Sequence, residues 1–126
     1  MSGPSLQGMR ILIVEDNYVV ADALRYLLEG YAGTVVAMAP NLERAYDALA
    51  RHAVDVSVLD INLNETSVVP LAERLHAEGG RFIFLSGYGD LELLPEHLRD
   101  RPRLDKPVDA ERLIASLSAL AGRPIR

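Results

Sequence analysis

"VDVSVLD", residues 54–60, sets valines at 54, 56 and 58 between other residues and closes on an aspartate. A short β-branched run that stops on an acid reads as a strand running into a loop. Its surroundings decide what kind of sheet it belongs to. Upstream, Pro40 and Asn41 open a helical stretch, "LERAYDALARH" (42–52), and before it "TVVAMA" (34–39) is another strand. Further upstream, in "YVVADALRYLLEGY" (18–31), Val20, Leu24, Leu27 and Tyr31 fall at helical spacing on one face. Gly30 and Gly33 are stop signals for that helix. Asp16 or Asn17 is placed to cap its start, after a compact apolar strand, "RILIV" (10–14).

The same alternation continues downstream. The loop "INLNETSVV" (61–69) leads to Pro70, which suits the first turn of a helix, "LAERLHAEGG" (71–80). "RFIFLS" (81–86) is a fourth strand. "GYGDLELLPEHLRD" (87–100) carries a weak helix, interrupted near Pro95. "PRLDKP" (102–107) holds a short fifth strand, and Asp109 caps a final helix, "AERLIASLSALAG" (110–122). Five strands alternating with five helices imply an α/β fold, a doubly wound parallel sheet with right-handed crossovers and helices on both faces.

The totals agree with one soluble domain. The chain has 126 residues, 49% hydrophobic and 25% charged. A formal net charge of −5 argues against nucleic-acid binding, which needs a basic face. No apolar run approaches the ~20 residues of a membrane span. Residues 1–8, "MSGPSLQG", read as a flexible leader rather than a signal peptide. With no cysteine there is no disulfide, thiol chemistry or zinc–thiolate site, which fits a cytoplasmic protein. Of the 13 Lys and Arg residues all but one are arginine, and the exception is Lys106.

In open parallel sheets, ligands bind beyond the carboxyl ends of the strands. Here those ends carry Glu15 and Asp16, then Asp60, then Ser86, then Lys106. Each has an ordinary reading alone: helix cap, loop acid, turn residue, surface lysine. Together they make a pattern. Clustered carboxylates call for a cation, and an all-oxygen acidic set suits Mg²⁺, which shares its shell with phosphate oxygens. A hydroxyl and a mobile ammonium supply the donors that a phosphoryl group needs.

With "VED" (14–16), "LDINL" (59–63), "LSG" (85–87) and "DKP" (105–107), the chain resembles the receiver domains of two-component response regulators. The resemblance runs from Met9 to Ala121, so residues 9–121 are expected to form the receiver domain and 122–126 a C-terminal tail. It implies a flavodoxin-like (βα)5 fold with strand order 2-1-3-4-5. It implies that Asp60 is the phosphoacceptor, that Glu15, Asp16, Asp60 and the Asn62 backbone carbonyl hold Mg²⁺, and that Ser86 and Lys106 pair with the phosphoryl group. Asn62 and Tyr88, two residues beyond Asp60 and Ser86, take positions that tune phosphoryl lifetime. The donor implied is a sensor histidine kinase or a histidine phosphotransfer protein. Such a domain is a switch rather than an enzyme, although it assists its own phosphotransfer and autodephosphorylation.

Two features depart from most receivers. The residue three before the lysine, usually Tyr or Phe, is Arg103. "FLSGYG" (84–89) is similar to the Phe-Ala-Thr-Gly-Tyr-Gly stretch of a single-domain group in alphaproteobacterial stress signalling, which also lacks that aromatic. A buried charge is costly, so Arg103 is not expected to fill an apolar slot, and a downstream protein partner is expected on the 87–121 face. The chain ends about where a receiver ends, as a single-domain regulator or a piece of a larger protein would. One alternative is a degenerate receiver acting only as a protein-binding module. Another is a flavin-type cofactor enzyme, disfavoured because "EDN" (15–17) is acidic and lacks the glycines of a phosphate-cradling loop.

Overall fold

A computed structural model describes residues 5–64 and 66–120. Strands β1 (Arg10–Val14), β2 (Thr34–Ala39), β3 (Val56–Asp60), β6 (Phe82–Ser86) and β7 (Arg103–Asp105) form one sheet in the order β2-β1-β3-β6-β7. Every pairing in it is parallel. Counting only these strands, the order is the expected 2-1-3-4-5. The chain therefore reverses direction across the sheet at β1 and β3, the two strands that carry the acidic ends.

Alternation along the strands sorts the core into two layers. Leu12, Val14, Leu59, Phe82 and Phe84 face α2 (Leu42–Arg51) and α3 (Val69–Ala77), whose Ala45, Ala48, Leu71, Ala72 and Leu75 close that layer. Ile11, Ile13, Val56, Val58, Ile83 and Leu85 face α1 (Tyr18–Gly30) and α4 (Ala110–Leu120), through Ala21, Leu24, Leu28, Leu113, Ile114 and Leu117. β3 and β6 are buried along their whole length, which fixes the positions of Asp60 and Ser86 at their ends.

The caps follow the sequence. The side chains of Asn17 and Asn41 accept hydrogen bonds from the amides of Val20 and Arg44. Asp109 Oδ1 accepts from Glu111 and Arg112. Each satisfies donors that the first helical turn leaves open. Gly33 is required by space, because a Cβ there would lie 3.0 Å from Ile11 Cδ1 and 3.1 Å from the Leu28 carbonyl oxygen.

Four expectations are corrected. The weak helix after β6 is not an α-helix but two 3-10 turns, Asp90–Leu93 and Glu96–Leu98. Leu94 between them is extended, at φ −93 and ψ 140, as a residue before proline prefers. The loop after β3 contains a two-stranded hairpin, β4 (Asn62–Leu63) with β5 (Thr66–Ser67). The buried face of α1 runs through Ala21, Leu24 and Leu28, so Val20 is exposed. Of the expected leader, residues 1–4 lie outside the described residues, but Leu6 is fully buried in the α1–α4 layer. Its amide donates to the Tyr31 carbonyl at 2.8 Å. The expected tail at 122–126 lies outside the described residues.

Candidate functional site

The carboxyl edge of the sheet gathers the charged residues. β1 delivers Glu15 and Asp16, β3 ends in Asp60, and Lys106 follows β7 directly. Glu15, Asp60 and Ser86 are only 4%, 2% and 3% exposed. An open cleft of about 430 Å³ is lined by Glu15, Asp16, Asp60, Asn62 and Lys106, with Asn64 and Asp90 on its walls.

Lys106 Nζ donates a 3.0 Å hydrogen bond to Asp60 Oδ1 and lies 3.9 Å from Glu15 Oε1. The first is a charge-assisted bond, and the second is beyond bonding range. Glu15 Oε2 accepts from the Asn17 amide at 3.1 Å, while the buried Oε1 accepts no hydrogen bond. Burial pushes the Glu15 carboxyl up to about 7. The Asp60 charge adds to this, and the Asn17 amide and Lys106 oppose it. Burial also raises the Asp60 carboxyl, against the hydrogen bond and charge of Lys106. Lys106 is itself raised: burial pulls it down, but the bond to Asp60 and the charges of Asp60, Glu15 and Asp90 outweigh that.

Carboxylate oxygens of Glu15, Asp16 and Asp60 lie within 4.8 Å of one another, the one such cluster among the described residues. One lysine cannot neutralise three acids. An orphaned buried oxygen, raised carboxyl groups and an all-oxygen donor set are what a hard divalent cation relieves, so these residues fit a metal. Asn62, two residues beyond Asp60, lies on the same cleft.

Ser86 Oγ is turned the other way, donating to Asp105 Oδ1 at 2.8 Å. Tyr88 is fully exposed (107%) and does not line the acidic cleft. Arg103 stays outside the apolar layers, with Nε 3.4 Å from Asp105 Oδ1. His52, His76 and His97 are not among the residues lining the cleft.

Three residues were not singled out in the sequence. The side-chain amide of Asn64 donates to Asp16 Oδ2, from a hairpin turn where φ is +64, a conformation asparagine tolerates. Asp90 Oδ2 accepts from the Gly87 amide at 2.7 Å and holds the turn after Ser86. Asp105 holds the Ser86 hydroxyl. Asp105 sits inside the quoted "DKP", and the register Ser86 with Asp105 is what gives it a partner.

Known proteins share this architecture. The family model for the response regulator receiver domain matches residues 11–118. An uncharacterised response regulatory protein of Yersinia pestis is 31% identical over 90% of this chain and 48% of its own length. The chain spans less than half the length of several curated relatives that it matches. The solution structure of SdrG from Sphingomonas melonis Fr1 is 33% identical with a TM-score of 0.76, covering 89% of this chain and 95% of that one. The PhyR stress response regulator is 25% identical with a TM-score of 0.74, covering 97% of this chain and 48% of that one.

Proposed function

The chain belongs to the response regulator receiver domains, and from that premise we propose that Asp60 accepts a phosphoryl group from a phosphohistidine on a sensor kinase or phosphotransfer protein. The observation that carries this reading is the Lys106–Asp60 contact at 3.0 Å beside two further carboxylates at one sheet edge. A module that only bound proteins would have no use for a buried, mutually repelling acid set.

In the proposed step an Asp60 carboxylate oxygen attacks phosphorus in line. An O–P bond forms as the P–N bond breaks, its electron pair stays on the leaving imidazole, and solvent supplies that ring's proton. Lys106 swings its ammonium from Asp60 Oδ1 to a phosphoryl oxygen, and the Ser86 hydroxyl becomes a second donor. Glu15, Asp16, Asp60 and the Asn62 carbonyl would hold Mg²⁺. When bound, that ion supplies positive charge against the phosphoryl oxygens. Asn62 and Tyr88 set the lifetime of the acyl phosphate, Asn62 from the cleft and Tyr88 by closing over it.

The module regulates a downstream protein through residues 87–121 and acts in the cytoplasm beside its donor. Among the described residues no helix is long and apolar enough to cross a membrane. "FLSGYG" (84–89), with the likeness to a stress response regulator, supports a place in stress signalling.

Phosphate-affinity electrophoresis after incubation with a phosphorylated phosphotransfer domain tests the reading. Wild type should shift only when Mg²⁺ is present, and Asp60→Asn should not shift. A wild type unmodified by every phosphohistidine and small phosphodonor, with its fold intact, overturns the assignment.

A further inference from the structure

Ser86 has one hydroxyl proton and therefore one bond to give. In this structure it gives that bond to Asp105 Oδ1 at 2.8 Å. The sheet register explains the choice. Across the β6–β7 ladder Ser86 pairs with Asp105 and Phe84 with Arg103, so these four side chains share one face. Asp60 pairs with Leu85 across β3 and β6, which puts Asp60 on the opposite face, where Lys106 Nζ bonds it at 3.0 Å. The resting partner of Ser86 is thus its neighbour on its own face. Arg103 approaches the same oxygen of Asp105, with Nε at 3.4 Å.

We propose that Asp105 is a positioning residue: it holds the Ser86 hydroxyl away from Asp60 in the unphosphorylated protein and competes with the phosphoryl group for that donor. The proposal deepens the phosphoacceptor reading of Asp60 and rests on it. A phosphoryl group extends the carboxylate outward past the strand ends, where Ser86 can reach it by rotating about one side-chain bond. The rotation is a hand-over, because the bond to Asp105 breaks as the bond to the phosphoryl oxygen forms.

The hand-over also has a surface consequence. Arg103 and Asp105 lie on the wall of an open cleft of about 360 Å³, with Ser86, Gly87, Tyr88 and Leu91 across from them. Losing the Ser86 bond frees Asp105, and with it Arg103, to rearrange there. The Asp105 carboxyl lies below its usual range, first because of the Ser86 hydrogen bond and then that of Arg103, which is what a holding contact of this kind requires.

The test measures the affinity of the full chain for beryllofluoride with Mg²⁺, a stand-in for the phosphoryl group, together with the Ser86 side-chain rotamer by NMR couplings. Asp105 is 77% exposed at a sheet edge, so its substitution leaves the fold intact. Asp105→Ala should tighten beryllofluoride by roughly two- to fivefold, the range open to a solvent-screened charged contact. Asp105→Asn, which keeps an acceptor oxygen, should do less. In a Ser86→Ala background, Asp105→Ala should have no such effect. In the free protein Ser86 should occupy one rotamer, and should average over several in Asp105→Ala. Equal tightening with and without Ser86 would mean that only a charge had been removed, and overturns the proposal. So does a Ser86 rotamer indifferent to Asp105→Ala. A wild type that binds no beryllofluoride overturns the phosphoacceptor reading and the competition with it. That failure is recognisable because the free-state rotamer would still respond to Asp105→Ala.

Discussion

Lys106 Nζ sits 3.0 Å from Asp60 Oδ1, so the one lysine of the chain is bonded to the carboxylate at the end of the central strand. Its side chain remains about one-third exposed while that of Asp60 is buried. The pair is therefore a fixed acid with a mobile counter-charge, an arrangement in which lysine's flexible stem matters and arginine's rigid fork would not substitute.

Lys106→Ala should lower stability at neutral pH. It leaves Asp60 and Glu15 buried without their nearest cation, and an orphaned buried polar group costs about 1–3 kcal/mol, more when it is charged. Urea denaturation at constant m-value measures the loss. Adding Asp60→Asn to Lys106→Ala should recover part of it, because the two residues are in direct contact. Strictly additive effects would show that the contact is energetically empty.

Stability should fall between about pH 4.5 and 7 in the absence of divalent cations. Glu15 titrates near 4.5 in the unfolded chain and near 7 in the fold, so across this window the native state holds the extra proton. Ionising it costs the folded protein more than the unfolded one, and stability drops as pH rises. The Asp60 carboxyl, also raised, contributes in the same direction. The drop is up to about 3 kcal/mol for a shift of this size. Denaturation midpoints for wild type and Glu15→Gln check it, since the variant should show a much flatter profile.

Magnesium should reverse that slope. A ligand that binds only the folded state stabilises it by mass action, and binding requires deprotonated acids. Added Mg²⁺ should raise the melting temperature clearly at pH 7.5 and little at pH 5, and chelator should return it. Asp16→Ala should abolish the effect. Equal stabilisation at both pH values would place the ion elsewhere.

Much of this site is legible in the sequence alone, and the reason is local. Each strand-end residue follows its own apolar run, so the position of Asp60 after "VDVSVL" or Ser86 after "RFIFL" needs only a periodicity. Partnerships across the sheet are different. That Asp105 holds Ser86 depends on the β6–β7 register, and that Asn64 holds Asp16 depends on a hairpin turn at positive φ. Neither is encoded in spacing along the chain. The burial of Leu6 is illegible for a related reason: a lone leucine among small polar residues carries no pattern, and its anchor is the Tyr31 carbonyl far along the chain. Of the expected face of α1, Leu24 is buried and Leu27 and Tyr31 pack half-buried against the core, whereas Val20 is exposed and Ala21 and Leu28 complete the buried stripe, because helical spacing alone does not say where an apolar face stops.

Residues 87–98 should be the least stable part of the carboxyl edge and the first to respond to phosphorylation. The two 3-10 turns are held by single-turn bonds, Leu94 to Leu91 at 3.1 Å, Glu92 to Gly89 at 3.4 Å and Leu98 to Pro95 at 3.0 Å. Only Leu94 and Leu98 are buried, with Leu91 half-buried against the same layer and His97 hydrogen-bonded to Glu73 at 2.8 Å, so few side chains anchor the segment. Few buried contacts and isolated bonds give low local stability. Amides at 90–93 should exchange with solvent far faster than those of β3 and β6. Leu98→Ala should detach the segment and cost about 2–5 kcal/mol, as deletion of a buried leucine does. The start of this segment is tied to the site, because the Gly87 amide bonds Asp90 and Ser86 precedes it directly. Adding Mg²⁺ and beryllofluoride should therefore shift the amide resonances of 87–98 most strongly. Shifts concentrated on α2 with 87–98 silent would put the output surface on the opposite side of the edge.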